Sequence, residues 1–261
     1  NIAQAMGGIM SVNGDVGSRP IRAGVTLGDT GTGLHAAIGV LAALQQRHVT
    51  GEGQYVSVSM WEAMTNFLRM SFGAQALTGQ AMTRKGNAST LKGTAPSEVY
   101  PCKGGGPNDY VFIYSTRAGD RHWDKLVVAI GQPELADDPR FGSPELRYKN
   151  RKAIDEIMTA WSMQHDKHEA MFILQGAGVP SGAIMDTMDL SQHPDLRRRG
   201  IFQSFEDPEQ GSYEMAGCPI MLSASKVPLQ QAPLLGADTE AVYTSLLGMT
   251  VEEIADLRAE K

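Results

Sequence analysis

Cysteine is scarce: Cys102 and Cys218 are the only two in 261 residues. Lying far apart, they supply no disulfide framework and fit a reducing compartment, the cytoplasm. Positive charge is also short, with 23 Lys and Arg against 29 Asp and Glu, a net charge of −6. No overall basic field exists to draw nucleic acid or an anionic membrane, so a phosphate-bearing substrate needs a local basic pocket. No apolar run approaches the roughly 20 residues of a membrane span. The longest, around Ala36–Leu44, is diluted by alanine and glycine. Internal repeats and low-complexity tracts are missing as well. The opening NIAQAMGGIMSVNG has neither an initiator Met nor a charged signal region, and is expected to be the middle of a longer protein. What these absences leave is a globular chain, 42% hydrophobic, with residues enough for one large domain or two modest ones.

Against this background one stretch stands out, LGDTGTG at Leu27–Gly33, running straight into HAAIGVLAALQQR. It sets the carboxylate of Asp29 among Gly28, Gly31 and Gly33 at the mouth of an apolar helix. Glycines are expected to let backbone or substrate approach closely, and helix-end N–H groups to supply positive potential. A carboxylate so placed suits a nucleophile or a proton-transfer group. The helix itself, with Leu34, Ile38, Leu41 and Leu44 among alanines, is apolar nearly all round and is predicted to be buried.

Around it the periodicity gives an outline. Residues 11–28 read as a loop, Tyr55–Ser59 as a short strand from its alternating valines, and residues 61–77 as a helix, which together imply α/β layering. Residues 78–98 read as a linker or mobile loop. Val99–Cys102 and Tyr110–Thr116 bracket KGGGPND as a hairpin. Helices follow at about 120–130, 144–163 and 166–176, the last capped near Asp166. Beyond Gly178 the text is strand-like and loop-rich, closing with helices near 238–247 and 250–259, where Thr250 and Glu253 form a capping box.

Several features have plainer readings. Asp29 alone fits a helix N-cap. GDTGTG lacks the spacing of a nucleotide loop, and a lone Asp-Thr-Gly before an alanine-rich helix is not a paired-aspartate protease site. KGGGPND reads as a turn rather than a phosphate cradle, and His165, Asp166, His168 and Glu169 as a solvated face, with no metal site. His35 reads as a packing or capping residue. Arg197–Arg199 reads as a solvated face, with contact to phosphates across a subunit boundary as the sharper alternative.

The chain resembles the family III CoA-transferases. The similarity is carried by Ile2–Gly14 (IAQAMGGIMSVNG), Leu27–Ala63, Asp137–Phe141 (DDPRF), Ala177–Gly182 (AGVPSG), His193–Gly200 (HPDLRRRG) and Ala232–Thr239 (APLLGADT). Leu27–Ala63 is long and specific; each of the others is weak alone. The resemblance covers the C-terminal two thirds of such proteins, and implies that the main CoA contacts lie N-terminal to this chain. It implies a large Rossmann-like α/β domain interrupted by a small α+β domain, in an interlocked homodimer. The corresponding segments are 1–85 for the large domain, 86–180 for linker and small domain, and 181–261 for the return to the large domain.

The function implied is transfer of CoA from an acyl-CoA to a carboxylic acid. The resemblance makes Asp29 the catalytic residue, passing through a mixed anhydride and an aspartyl-CoA thioester. Gly28, Thr30, Gly31, Met60, Gly93 and Thr94 fall on substrate-binding positions, and amides near Thr30 and Gly31 are expected to hold the oxyanions. One glycine, Gly93, stands where oxalate-using members carry a run of them. CoA is a co-substrate here, with no resident cofactor or metal, and neither nucleic acid nor membrane is a partner. Two alternatives stay open: proton transfer as in α-methylacyl-CoA racemases, and an inactive fragment or paralogue that only assembles with a partner.

Overall fold

The computed structural model describes residues 1–88, 95–115, 121–207, 211–225, 227 and 229–259. The chain divides into two compact units, Asn1–Ile184 and Met185–Lys261.

The first unit begins with two short helices, α1 (Ile2–Met6) and α2 (Ile9–Val12). A loop leads to α3 (Leu27–Thr50), followed by α4 (Met60–Phe67) and α5 (Arg69–Thr78). Each boundary has a local cause. Gly51 takes φ 78° and returns its N–H to Arg47 O at 2.8 Å, which stops α3. Ser59 caps α4 by accepting from Glu62 N at 3.2 Å, and its own hydroxyl donates to Glu62 Oε2. The helix expected over residues 61–77 is thus two, broken at Leu68 where ψ reaches 15°. A small core of Ile9, Ala63 and Met64 joins α2 to α4, with Ala3, Leu27 and Leu68 packed against it.

Two expectations for this region are corrected. Tyr55–Ser59 forms no strand, because no other strand of the described residues lies alongside to take its ladder. α3 is not enclosed: Leu34, Ile38 and Leu41 are 58%, 67% and 66% exposed. Its packed face is narrow, running through Gly28, Gly31, His35 and Gly39, where Phe67 and Val56 approach too closely for a Cβ at Gly31 and Gly39. An all-apolar helix is buried only when elements exist to cover each face, and among the described residues only one face of α3 has them.

Residues 95–184 hold the best-packed part of the unit. β1 (Ser97–Pro101) and β2 (Tyr110–Tyr114) pair antiparallel with Val99 opposite Phe112. Next come α6 (Arg121–Ala129), a 3-10 turn at Pro133–Ala136, α7 (Pro144–Lys149), α8 (Arg151–Ser162) and α9 (Lys167–Gly176). β3 (Ser181–Ala183) then adds to the other edge of β2, giving the order β1-β2-β3. Val111, Ile113, Leu126, Val127, Phe141, Ile154, Met158 and Leu174 are fully enclosed between this sheet and its helices. The hairpin turn KGGGPND is built on Asp109, whose carboxylate accepts from Gly106 N at 2.8 Å and lies against Gly104. A side-chain anion therefore occupies the ground a phosphate would need. DDPRF is likewise structural. Asp138 takes the Arg140 side chain at 2.7 Å, and Phe141 is delivered to the Trp123 ring. Arg147, 2% exposed, donates to Phe141 O at 2.7 Å and lies over the same indole.

The second unit contains α10 (Thr187–Gln192), α11 (Pro194–Arg198), the hairpin β4 (Phe202–Asp207) with β5 (Gly211–Ala216), and the helices α12 (Thr239–Leu247) and α13 (Val251–Ala259). Arg197 grips Glu214 through both guanidinium nitrogens at 2.6 and 2.7 Å, and Arg198 pairs with Asp195 at 2.8 Å. Two arginines of the run are thereby engaged inside their own unit. The Thr250–Glu253 box forms as expected, at 2.8 and 3.2 Å. Among the described residues no helix is long and apolar enough to cross a membrane, and no group of His, Cys, Asp and Glu is arranged to hold a metal ion.

Candidate functional site

Asp29 is the third residue of α3. It is exposed, and among the described residues its carboxylate has no hydrogen-bond or ion-pair partner. It does not act as an N-cap, because that position belongs to Thr26, which makes no side-chain capping bond. The placement leaves the carboxylate at the amino end of a 24-residue helix, where unpaired N–H groups carry partial positive charge.

The first turn is shaped by small contacts. Leu27 N donates to Val25 O at 2.8 Å and Thr30 N to Thr26 O at 3.0 Å. Among the described residues the amides of Gly28 and Asp29 have no acceptor. The N–H of Thr30 is already spent inside the helix, so the amides available to an oxyanion are those of Gly28 and Asp29, not of Thr30 and Gly31. Thr32 Oγ1 donates back to Gly28 O, and His35 Nδ1 lies 2.7 Å from Gly31 O. Since a carbonyl only accepts, His35 carries its proton on Nδ1 in that bond. Its ring meets Phe67 edge-on with centroids 5.5 Å apart, the packing role expected from the sequence.

The glycines serve a different purpose from the one their number suggests. A Cβ on Gly31 would stand 2.6 Å from Phe67 Cε2 and 3.3 Å from Met64 Cε. A Cβ on Gly28 would meet Met60 Cε at 3.4 Å and Ala3 Cβ at 3.9 Å. Both residues are buried, Gly31 against α4 and Gly28 against α4 and α1. Only Gly33 faces open space. The absence of side chains lets α3 settle onto α4 and leaves Asp29 on the outer side of the first turn.

Of the residues singled out in the sequence, Gly28, Asp29, Thr30, Gly31 and Met60 come together at this junction. Thr30 is exposed, its hydroxyl 3.3 Å from that of Thr26, and Met60, 40% exposed, opens α4 beside Gly28. Gly93 and Thr94 lie outside the described residues. Two contributors were not singled out. Gln4 and Ala3 of α1 support the approach to the turn, Gln4 bonding Ala23 N at 3.0 Å. The available signal was a polar residue inside the apolar run IAQAMGGIM.

Residues 1–239 match the family model described as CoA-transferase family III. A formyl-CoA:oxalate CoA-transferase from Streptomyces avermitilis is 36% identical over 99% of this chain, and one from Streptomyces coelicolor 35% identical over the same share. The chain spans about 65% of the length of these curated relatives. Among solved structures, a CaiB/BaiF family protein from Brucella suis matches 94% of this chain and 61% of its own, with a TM-score of 0.76 and 28% identity. Rv3272 from Mycobacterium tuberculosis matches 92% of this chain and 62% of its own with a TM-score of 0.72; at 18% identity it bears on the fold alone.

Proposed function

Because the chain belongs to CoA-transferase family III, we propose that the complete protein moves CoA from an acyl-CoA to a carboxylic acid through covalent intermediates on Asp29. The observation that carries this reading is an exposed carboxylate at the amino end of α3, without a partner among the described residues, beside two amides likewise without acceptors there and the Met60 thioether.

In the first step an oxygen of Asp29 attacks the acyl carbonyl carbon of the donor. The new C–O bond replaces the C–S bond, giving a mixed anhydride and CoA thiolate. The thiolate then attacks the Asp29 carbonyl carbon, forming an aspartyl-CoA thioester and releasing the donor acid as its carboxylate. The acceptor carboxylate attacks this thioester, and the thiolate set free returns to the acceptor's carbonyl carbon, which restores the Asp29 carboxylate. Each intermediate is an activated acyl group, so little driving force is lost on the way. Each addition also places negative charge on a carbonyl oxygen, and the Gly28 and Asp29 amides, without acceptors among the described residues, are proposed to receive it. Met60 provides a soft apolar wall that keeps water from the acyl carbon. Gly93 and Thr94 are proposed to complete the substrate side of the site. The remaining contacts to CoA, and the interlocked homodimer, are assigned to the complete protein.

The test is Asp29→Asn in the complete protein, which keeps size and shape but removes the nucleophile. Transfer should fall by at least about 10³-fold with an unchanged melting temperature. Near-normal turnover would refute the assignment.

A further inference from the structure

We propose that Gln4 is the positioning residue for Asp29, a role that rests on the transferase reading for its kinetic consequence. Gln4 is 2% exposed on a short helix whose other inward contacts are apolar. A buried primary amide costs free energy unless its oxygen and nitrogen find partners. Both do so, and on one segment: Oε1 accepts from Ala23 N at 3.0 Å, and Nε2 donates to Val25 O at 3.4 Å. A backbone N–H only donates and a carbonyl only accepts, so these contacts fix which way the amide faces.

The segment held is the bend just before α3. Val25 O receives Leu27 N at 2.8 Å as well as the Gln4 amide, so Gln4 orients the carbonyl on which the first helical residue closes. Asp29 follows two residues later. Helix α1 is itself anchored, with Trp61 Nε1 donating to Met6 O at 3.0 Å and Gly7 lying against Met64. Contacts therefore run unbroken from α4, which carries Met60, through Gln4 to the turn that aims Asp29. In a reaction that needs a near-attack geometry, a displacement of about 1 Å at the carboxylate costs about 100-fold in rate.

The experiment uses Gln4→Leu and Gln4→Glu in the complete protein. Leucine fills the volume but leaves Ala23 N unpaired and Val25 O held by Leu27 N alone, so kcat should fall about 100-fold with KM for acyl-CoA near that of the wild type. An ionised glutamate still accepts from Ala23 N but sets lone pairs against Val25 O; protonated, it restores both bonds. Burial raises a carboxyl pKa, so Gln4→Glu should recover kcat relative to wild type as the pH is lowered from about 8 to about 5, while Gln4→Leu does not. A lower melting temperature with wild-type kcat in both variants and no pH-selective recovery would overturn the proposal. Amide hydrogen exchange decides it independently of the reaction. Gln4→Leu should quicken exchange at Ala23 and over Leu27–Thr30 while α4 is unchanged, and unaltered exchange there would overturn the assignment. If the wild type transfers no CoA, the functional reading falls and the exchange result still judges Gln4.

Discussion

Gly31 and Asp29 stand two positions apart in the same turn and do unrelated work. Gly31 is the contact point at which α3 rests on Phe67, so adding one methyl group there should be felt as overpacking. Gly31→Ala is expected to destabilise the protein by roughly 1–3 kcal/mol, measured by denaturant unfolding. Combining it with Phe67→Leu should cost less than the sum of the single changes, since the two side chains compete for one space. Strict additivity would show that the close approach is unimportant. The position of Asp29 was legible in the sequence because its causes are local: glycines, a helix start and the apolar pattern after it lie within a few residues. Gln4 was not, because what defines it is a pair of backbone groups 19 and 21 residues away. The sequence left open whether the glycines admit a substrate or neighbouring structure, for no local pattern shows which of the two a missing Cβ accommodates.

At the level of elements, two carboxylates give opposite pH responses. Asp166 caps α9 by accepting from His168 N and Glu169 N, both at 2.9 Å, and the Glu169 bond leads in holding its carboxyl below the usual range. Its stabilisation is present above the ordinary value of 3.8 and is lost as the pH falls through the lowered native value. Asp166→Ala should cost about 1 kcal/mol at neutral pH and little in strong acid. Asp155 behaves the other way. It accepts from the buried Tyr100 hydroxyl at 2.7 Å between α8 and β1, and burial above all pushes its carboxyl upward from 3.8. That contribution is fully present below 3.8 and is lost as the pH rises through the raised native value. Asp155→Asn keeps an oxygen for Tyr100 without the charge, so thermal melts should show it gaining on wild type as the pH rises from about 4 to about 7. A constant difference across that range would contradict the account. The hairpin and the helices of residues 97–176 followed from short-range rules to within a few positions, although the one helix expected over 144–163 is two, α7 and α8, and α10 and α11 lie where loops and strands were expected. Tyr55–Ser59 shows the boundary of such rules: alternation marks an extended segment, but a strand also requires a neighbour.

For the whole molecule, the distribution of exposed apolar surface separates two kinds of structure. Residues 95–184 enclose their own core, whereas α3 leaves Leu34, Ile38 and Leu41 uncovered and the second unit leaves Ile220, Met221 and Leu222 so. Surface of that extent marks interaction sites, and the chain spans about 65% of its curated relatives' length. We propose that residues 95–184 form an independently folding small domain, as the hairpin, helices and β3 share one core. Produced alone, they should give a cooperative melt and a monomeric sedimentation profile. The 261-residue chain produced alone should instead bind a hydrophobic dye and self-associate; monomeric behaviour without dye binding would contradict this. The family was legible in the sequence because the Leu27–Ala63 text is long and specific. The exposure of α3 was not, since a helix records its need for cover without saying which chain segment provides it.

The most direct test of the account is mass spectrometry of the Asp29 peptide from the complete protein after incubation with acyl-CoA and quenching with hydroxylamine. A hydroxamate on Asp29 is expected, formed only when acyl-CoA is present and abolished in Asp29→Asn. Continued CoA transfer with an unmodified Asp29 peptide would contradict a covalent route through this carboxylate.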